Sequence, residues 1–276
     1  MSDDLVINKD ALEPLFSAWE EPSQHRIKSA DGSSAERVKG RRRSAITIAQ
    51  NLRADLRDWR DSFYAGASET SRHLLDYWFN RSHRIKSPSA EEFEFSYYFC
   101  QREATEALIY LKEVKRIETL SQLVYEYGGP NREIEALGVT DLEDQWSRYA
   151  FKLATGTGKT KCMSLAVVWS YFHALRESDS SMAKNFVIIA PNLTVFERLK
   201  EDFKPEEGGQ DIFDTDPLIP PEWRGDWNLS VVLQDEASGA ATGGTLYLTN
   251  IHRLYDIARR RKKKDEETYG WMGPAV

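Results

Sequence analysis

The sequence is poor in several things, and each shortage excludes something. It has two cysteines in 276 residues, Cys100 and Cys162. That is too few for a disulfide framework and fits a reducing compartment. No stretch reaches the roughly 18 uninterrupted apolar residues of a membrane span. The best candidate, Leu165 to Leu175, is short and broken by polar residues. Behind the acidic start Met1-Ser2-Asp3-Asp4 there is no apolar segment, so no secretory signal is expected and the cytoplasm is the expected location. Positive charge is not in excess either: 37 Lys and Arg against 44 Asp and Glu leave a net charge of −7. Wholesale coating by nucleic acid is thereby disfavoured, whereas a local basic groove is not. There is no internal repeat.

What is present is an ordinary globular composition, 41% hydrophobic and 29% charged. At about 150 residues per domain it predicts one or two domains with a real core. Two basic runs stand out, Arg41-Arg42-Arg43 and Arg259 to Lys264, the second followed by Asp265-Glu266-Glu267. Such runs are either solvated faces or phosphate contacts. The stretch from Gln24 to Gly40, rich in Ser, Lys, Arg, Gly and Asp, reads as a flexible linker near 24–40.

Ala45, Ala49, Leu52, Leu56, Trp59 and Phe63 recur at spacings of four and three, which makes one apolar helix face. Gly66 ends that helix, and Ser68 is placed to cap a second one carrying Leu74, Leu75 and Trp78. Pro88 breaks the pattern. A third helix is expected from about Gln101 to Lys115, and a fourth helical section reaches Trp146 around a Gly128-Gly129-Pro130 turn. From Tyr149 short apolar runs alternate with helical stretches: Tyr149–Leu153, Phe186–Ala190, Leu229–Leu233 and Thr245–Leu248. Strand, helix, strand in that order predicts a right-handed βαβ unit, with Phe186–Ala190 covered on both faces. The expected architecture is α/β, a parallel sheet preceded by an α-helical N-terminal region. Residues 1–92 form the accessory part and residues 93–276 the ligand-binding domain.

The sharpest signal is Leu153-Ala154-Thr155-Gly156-Thr157-Gly158-Lys159-Thr160. A polyphosphate needs converging backbone N–H groups, and glycine lets the main chain come that close. It needs a helix N-terminus behind it, a flexible cation for the β and γ oxygens, and a hydroxyl for Mg²⁺. Gly156, Gly158, a helix opening near Lys159, Lys159 itself and Thr160 supply these. Leu153 stands where the general G-x-x-x-x-G-K-[ST] pattern has its first glycine. A strand before the loop and an apolar helix face of Met163, Ala166, Val167, Tyr171 and Ala174 after it complete the expected context.

The loop resembles motif I of superfamily 2 helicases and translocases, where that first glycine is commonly absent. Phe99-Cys100-Gln101-Arg102-Glu103-Ala104 resembles the family's upstream glutamine motif. The resemblance implies that Gln101 reads the adenine edge, as an amide that donates and accepts together can, while Tyr97, Tyr98 or Phe99 packs on the ring. It implies an ATP site of Gln101, Thr155, Gly156, Thr157, Gly158, Lys159 and Thr160, with Lys159 and Thr160 serving the chemistry and Thr160 holding Mg²⁺. The segment from Ala190 to Arg198 resembles motif Ia, and Leu248 to Leu254 resembles motif Ib. These imply nucleic-acid contacts from Asn192, Thr194, Arg198, Thr249 and Asn250, with helix capping by Thr194 or Thr249 the structural alternative. His252 lacks a second ligand at zinc spacing. Together the segments, from about Ala45 to about Asp256, resemble the motor subunit of type III restriction enzymes and related DEAD/DEAH-type proteins. That implies a RecA-like first motor domain, ATP hydrolysis driving movement along duplex DNA, and further subunits of a restriction or defence system as partners.

Such a motor needs an acidic pair at a strand end, one residue for Mg²⁺ and one for the attacking water. Asp235-Glu236-Ala237-Ser238 is the local match. The resemblance, however, places that motif after Thr249–His252, and Ser238 stands where the family has His or Asp. The pair is therefore read as lying outside the chemistry. No second motor domain and no arginine-finger motif follow, so the gene is expected to be cut short or completed by another chain, and this chain alone to be a poor ATPase. Two readings follow: the N-terminal portion of an ATP-dependent DNA helicase or translocase, or a truncated, non-catalytic module that binds ATP and a partner. Gln101 and the segment Pro191 to Arg198 weigh against a small-molecule kinase.

Overall fold

The computed structural model describes residues 18–28, 35–86, 91–129, 147–236 and 241–253. The chain divides into two compact units, Met1–Arg84 with Glu92–Ala166, and Ile85–Glu91 with Val167–Val276. The division falls inside a long helix.

The first unit opens with an antiparallel ribbon, β1 (Gln24–Lys28) paired with β2 (Ala35–Lys39). A linker was expected here, and the structure corrects that expectation for both strands. The polar composition hides a period of two: His25 and Val38 share one face and are half-buried, while Arg26 and Lys39 are exposed on the other. Three helices follow. In α1 (Thr47–Asp61) the buried residues are Leu56 and Trp59, two positions of the predicted stripe. The chain then turns sharply through Phe63 and Tyr64, both at positive φ (55° and 59°), a conformation that costs a side-chain-bearing residue energy. Trp59 Nε1 donates to Ala65 O at 2.9 Å and holds the turn. Ser68 caps α2 (Glu69–Asn80) as expected, accepting from Ser71 N at 3.1 Å. Leu74, Leu75 and Trp78 are all buried. Strands β3 (His83–Lys86) and β4 (Glu92–Phe95) precede α3 (Phe99–Ile109), which continues as a π-helical turn over Tyr110–Val114. Helix α4 (Leu120–Tyr127) starts in a Thr119/Gln122 capping box. The remainder of the expected fourth helical section, and the second basic run, lie outside the described residues.

Beneath α3 sits a buried charge cluster. The Glu106 side chain is 0% exposed and accepts from Arg60 Nε at 3.0 Å, Arg102 Nε at 2.7 Å and Tyr64 Oη at 2.8 Å. Burial and the neighbouring carboxylate push the Tyr64 phenol far above its usual range. The Phe99 ring carries the guanidinium groups of Arg41 and Arg60 at 5.4 and 5.3 Å.

The strand expected at Tyr149–Leu153 does not form; residues 147–153 make no ladder. Tyr149 instead packs against the Leu111, Ile117 and Tyr127 cluster and donates from its hydroxyl to Ile117 O at 2.5 Å. Burying that ring competes with holding the segment extended. The following helix, α5 (Lys159–Arg176), forms as expected but buries more than one stripe: Leu165, Val167, Val168, Trp169, Tyr171 and Phe172 are all buried.

In the second unit β5 (Asn185–Ala190), β6 (Ser230–Leu233) and β7 (Thr245–Asn250) form a parallel sheet in the order β5-β7-β6. Helix α6 (Leu193–Phe203) packs on β5 and β7, against the face that buries Ile188, Leu246 and Leu248. The opposite face of β5 is open: Val187 is 61% and Ile189 47% exposed, contrary to the two-sided cover expected of an all-apolar strand. Tyr171, Phe172, Phe203, Phe213, Trp223 and Trp227 form an aromatic core, with Arg176 over Trp223 at 4.2 Å. Helices followed by a parallel sheet give the α/β class anticipated from the sequence. Among the described residues no helix is long and apolar enough to cross a membrane.

Candidate nucleotide site

The phosphate loop is built by two glycines in left-handed backbone, Gly156 at φ 80° and Gly158 at φ 71°, where a side chain would be strained. They turn the chain so that α5 starts at Lys159 with its N-terminus behind the loop, the end of a helix that favours an anion. Ala154, Thr155 and Gly156 are exposed, and nothing lies within 4 Å of the place a Gly156 Cβ would take. The loop folds on itself. Thr157 Oγ1 and Lys159 Nζ both donate to Ala154 O at 2.8 Å. Lys161 N closes on Gly158 O at 3.0 Å, and Ser164 Oγ on Thr160 O at 3.0 Å. Lys159 is exposed, so its ammonium can leave a single carbonyl for a phosphate without unpacking anything. These residues fit a polyphosphate. Thr160 is half-buried one position into the helix. Among the described residues no group of three or more His, Cys, Asp or Glu could hold a metal. Thr160 is the residue of the loop that would hold a magnesium ion.

Gln101 is only 2% exposed and both ends of its amide are engaged. Oε1 accepts from Tyr98 N at 2.9 Å and caps α3; Nε2 donates to Thr157 O at 2.9 Å. A Cβ at Gly158 would collide with that Nε2. The glutamine thus holds the phosphate loop from behind. Of the three aromatic candidates, Tyr97 and Phe99 are buried, Tyr97 edge-on to Phe79 and Phe95, whereas Tyr98 is half-exposed. Tyr98 meets Trp19 at 6.1 Å between ring centres, and Trp19 is 52% exposed. Nearly eighty residues separate Trp19 from Tyr98, so no local pattern in the sequence pairs them. Burial raises both thiols nearby, Cys100 on α3 and, more strongly, Cys162 on α5, up to about 11.

In the second unit the motif Ia-like segment follows β5. Asn192, not Thr194, caps α6, accepting from Val195 N at 2.9 Å. Thr194 and Arg198 are exposed on its first turns. Thr249 is half-buried on β7, and Asn250 is 1% exposed, its Oδ1 accepting from His252 N at 2.8 Å and its N–H donating to Gln234 Oε1 at 3.0 Å. Asn250 thus shapes the strand end through Oδ1 and its backbone N–H, while its buried Nδ2 has no hydrogen-bond partner among the described residues. The acidic pair is tied up as well. Asp235 pairs with Arg253, while Glu236 accepts from Lys204 Nζ at 2.6 Å and Leu233 N at 3.0 Å. The Lys204 bond holds the Glu236 carboxyl below the usual carboxylate range.

A family model described as "Type III restriction enzyme, res subunit" matches residues 94–270. Neither a curated protein nor a solved structure matches the chain.

Proposed function

Because the chain belongs to the type III restriction enzyme res subunit family and carries its helicase-like, RecA-like N-terminal motor domain, we propose that it binds ATP with Mg²⁺ as the first motor portion of a DNA helicase or translocase. The observation that carries this reading is the phosphate cradle: Gly156 and Gly158 at positive φ in front of α5, with an exposed Lys159 at its first turn. Lys159 reaches the β and γ oxygens, Thr160 lends its hydroxyl to the metal, and Thr155 to Gly158 offer backbone N–H groups. Asn192, Thr194, Arg198 and Thr249 are read as strand contacts at the carboxyl end of the sheet. Asn250 supports them from within. Residues 1–92 are read as an accessory region and 93–276 as the ATP-binding domain, acting in the cytoplasm with other subunits of a restriction or defence system.

A second reading, a non-catalytic module that binds ATP and a partner, is favoured by one observation: the local acidic pair, Asp235 and Glu236, comes before Thr249–His252 in the sequence rather than after it. Phosphate release measured with and without duplex DNA, using Lys159→Ala as background, separates the two. Turnover stimulated by DNA and abolished by the substitution supports the motor. Nucleotide binding without turnover supports the module.

Gln101 reads adenine only if its amide exchanges Thr157 O for the base. The expected outcome is a preference for ATP over GTP, since a buried amide left mispaired costs about 1–3 kcal/mol. That preference should vanish in Gln101→Ala in competition binding. Equal weakening of both nucleotides would leave Gln101 as a tether of the loop and nothing more.

A further inference from the structure

The β1–β2 ribbon has a chemistry that the nucleotide site does not use. Its register sets Gln24 opposite Lys39 and Arg26 opposite Arg37. Side chains alternate along a strand, so Gln24, Arg26, Arg37 and Lys39 share one face and His25, Ile27 and Val38 the other. Arg26, Arg37 and Lys39 are exposed and Gln24 is half-buried, whereas on the other face His25 and Val38 are half-buried and Ile27 is exposed. The ribbon therefore turns a cationic face outward. Arg42 and Arg43, just beyond it, extend the exposed charge. Residues 24–43 hold seven Lys and Arg against two Asp and Glu, in a chain whose net charge is −7.

One feature separates this from a solvated charge run: the ribbon is anchored rather than swinging. His25 Nδ1 lies 2.7 Å from Gly40 O at its base. Arg41, the next residue, grips Glu103 on α3 with both ends of its guanidinium, Nη2 to Oε2 at 2.6 Å. A fixed, two-stranded ribbon is of a size that the major groove of duplex DNA admits.

We propose that the outward face of the β1–β2 ribbon, carried by Arg26, Arg37 and Lys39, docks on the phosphate backbone of duplex DNA. This rests on the reading of the chain as a DNA motor. The contact is electrostatic and independent of sequence, so it is read in the salt dependence of binding. A labelled duplex is titrated with the full chain by fluorescence anisotropy between about 50 and 200 mM salt. Removing two charges with Arg26→Gln and Lys39→Gln should flatten the log–log salt slope by about 1.8, at about 0.9 per phosphate contact. Affinity at the low-salt end should fall at least tenfold. The charge-preserving pair Arg26→Lys and Lys39→Arg should keep the parent slope, and all variants should bind an ATP analogue as the parent does, which shows them folded. Arg72→Gln with Arg84→Gln is the control for net charge alone. A parent that binds duplex and a ribbon variant with the parent slope would overturn the ribbon and leave the motor reading standing. Equal flattening by the control pair, or displacement of duplex by polyglutamate as readily as by unlabelled duplex, overturns the ribbon as a DNA surface. A parent with no affinity for duplex overturns the motor reading and the ribbon with it.

Discussion

Lys159→Ala should weaken binding of a labelled ATP analogue at least tenfold, about 1.4 kcal/mol, and leave the fold intact. The side chain is exposed and its one hydrogen bond is to Ala154 O at the surface, so truncation opens no cavity. What is lost is the flexible cation that reaches the outer phosphates from a helix start. Lys161, two residues on, offers a matched control: it carries the same charge but lies over the Phe95 ring at 5.0 Å. Lys161→Ala should leave the affinity within a few-fold of the parent. Equal affinity in Lys159→Ala and parent would remove the loop from the nucleotide site.

Glu106→Ala should have the largest effect on stability. The carboxylate is wholly buried and serves Arg60, Arg102 and Tyr64 together. Removing it leaves two guanidinium groups, with side chains 17% and 20% exposed, facing a hole. Breaking a buried pair by deleting one partner costs about 3–5 kcal/mol, whereas replacing the whole cluster by apolar groups need not. Hydrogen exchange of the α3 amides is the measurement of choice. If α3 opens with this unit, protection should drop by about two orders of magnitude or more, at 1.4 kcal/mol per tenfold. Unchanged protection would mean that packing, not the carboxylate, holds α3 in place. Glu106→Gln keeps the shape and should fall between the two.

What could be read from the sequence was local. Ser68 announces a cap because its hydroxyl acts three residues away, and Gly156 and Gly158 announce a phosphate loop because the backbone itself demands glycine there. The apolar runs of β5 and β7 stand clear of their surroundings. What was missed depends on distance. The ribbon escapes notice because Arg26 and Arg37 are recognised as partners only once the strands pair. Tyr149–Leu153 looks like a strand until the Tyr149 ring finds Leu111, Ile117 and Tyr127. The bond from Gln101 to Thr157 joins residues 56 apart, and no periodicity encodes it. Trp19 beside Tyr98 is a meeting of the same kind.

That long bond also bears on how the protein can be cut. The shape of the phosphate loop is borrowed from the first turn of α3, through one amide that caps the helix and holds Thr157 at once. A fragment beginning near residue 93 would keep both partners of that bond but strip α3 of Arg60 and Tyr64, which hold its buried Glu106. One beginning at α4 would still contain every glycine, the lysine and the threonine of the loop, yet Thr157 O would lose its donor and the wall behind Gly158 would be gone. The loop is therefore not a portable cassette. Grafting residues 153–160 onto another scaffold would transfer the motif without its support, and a working graft would have to bring an equivalent of Gln101 with it.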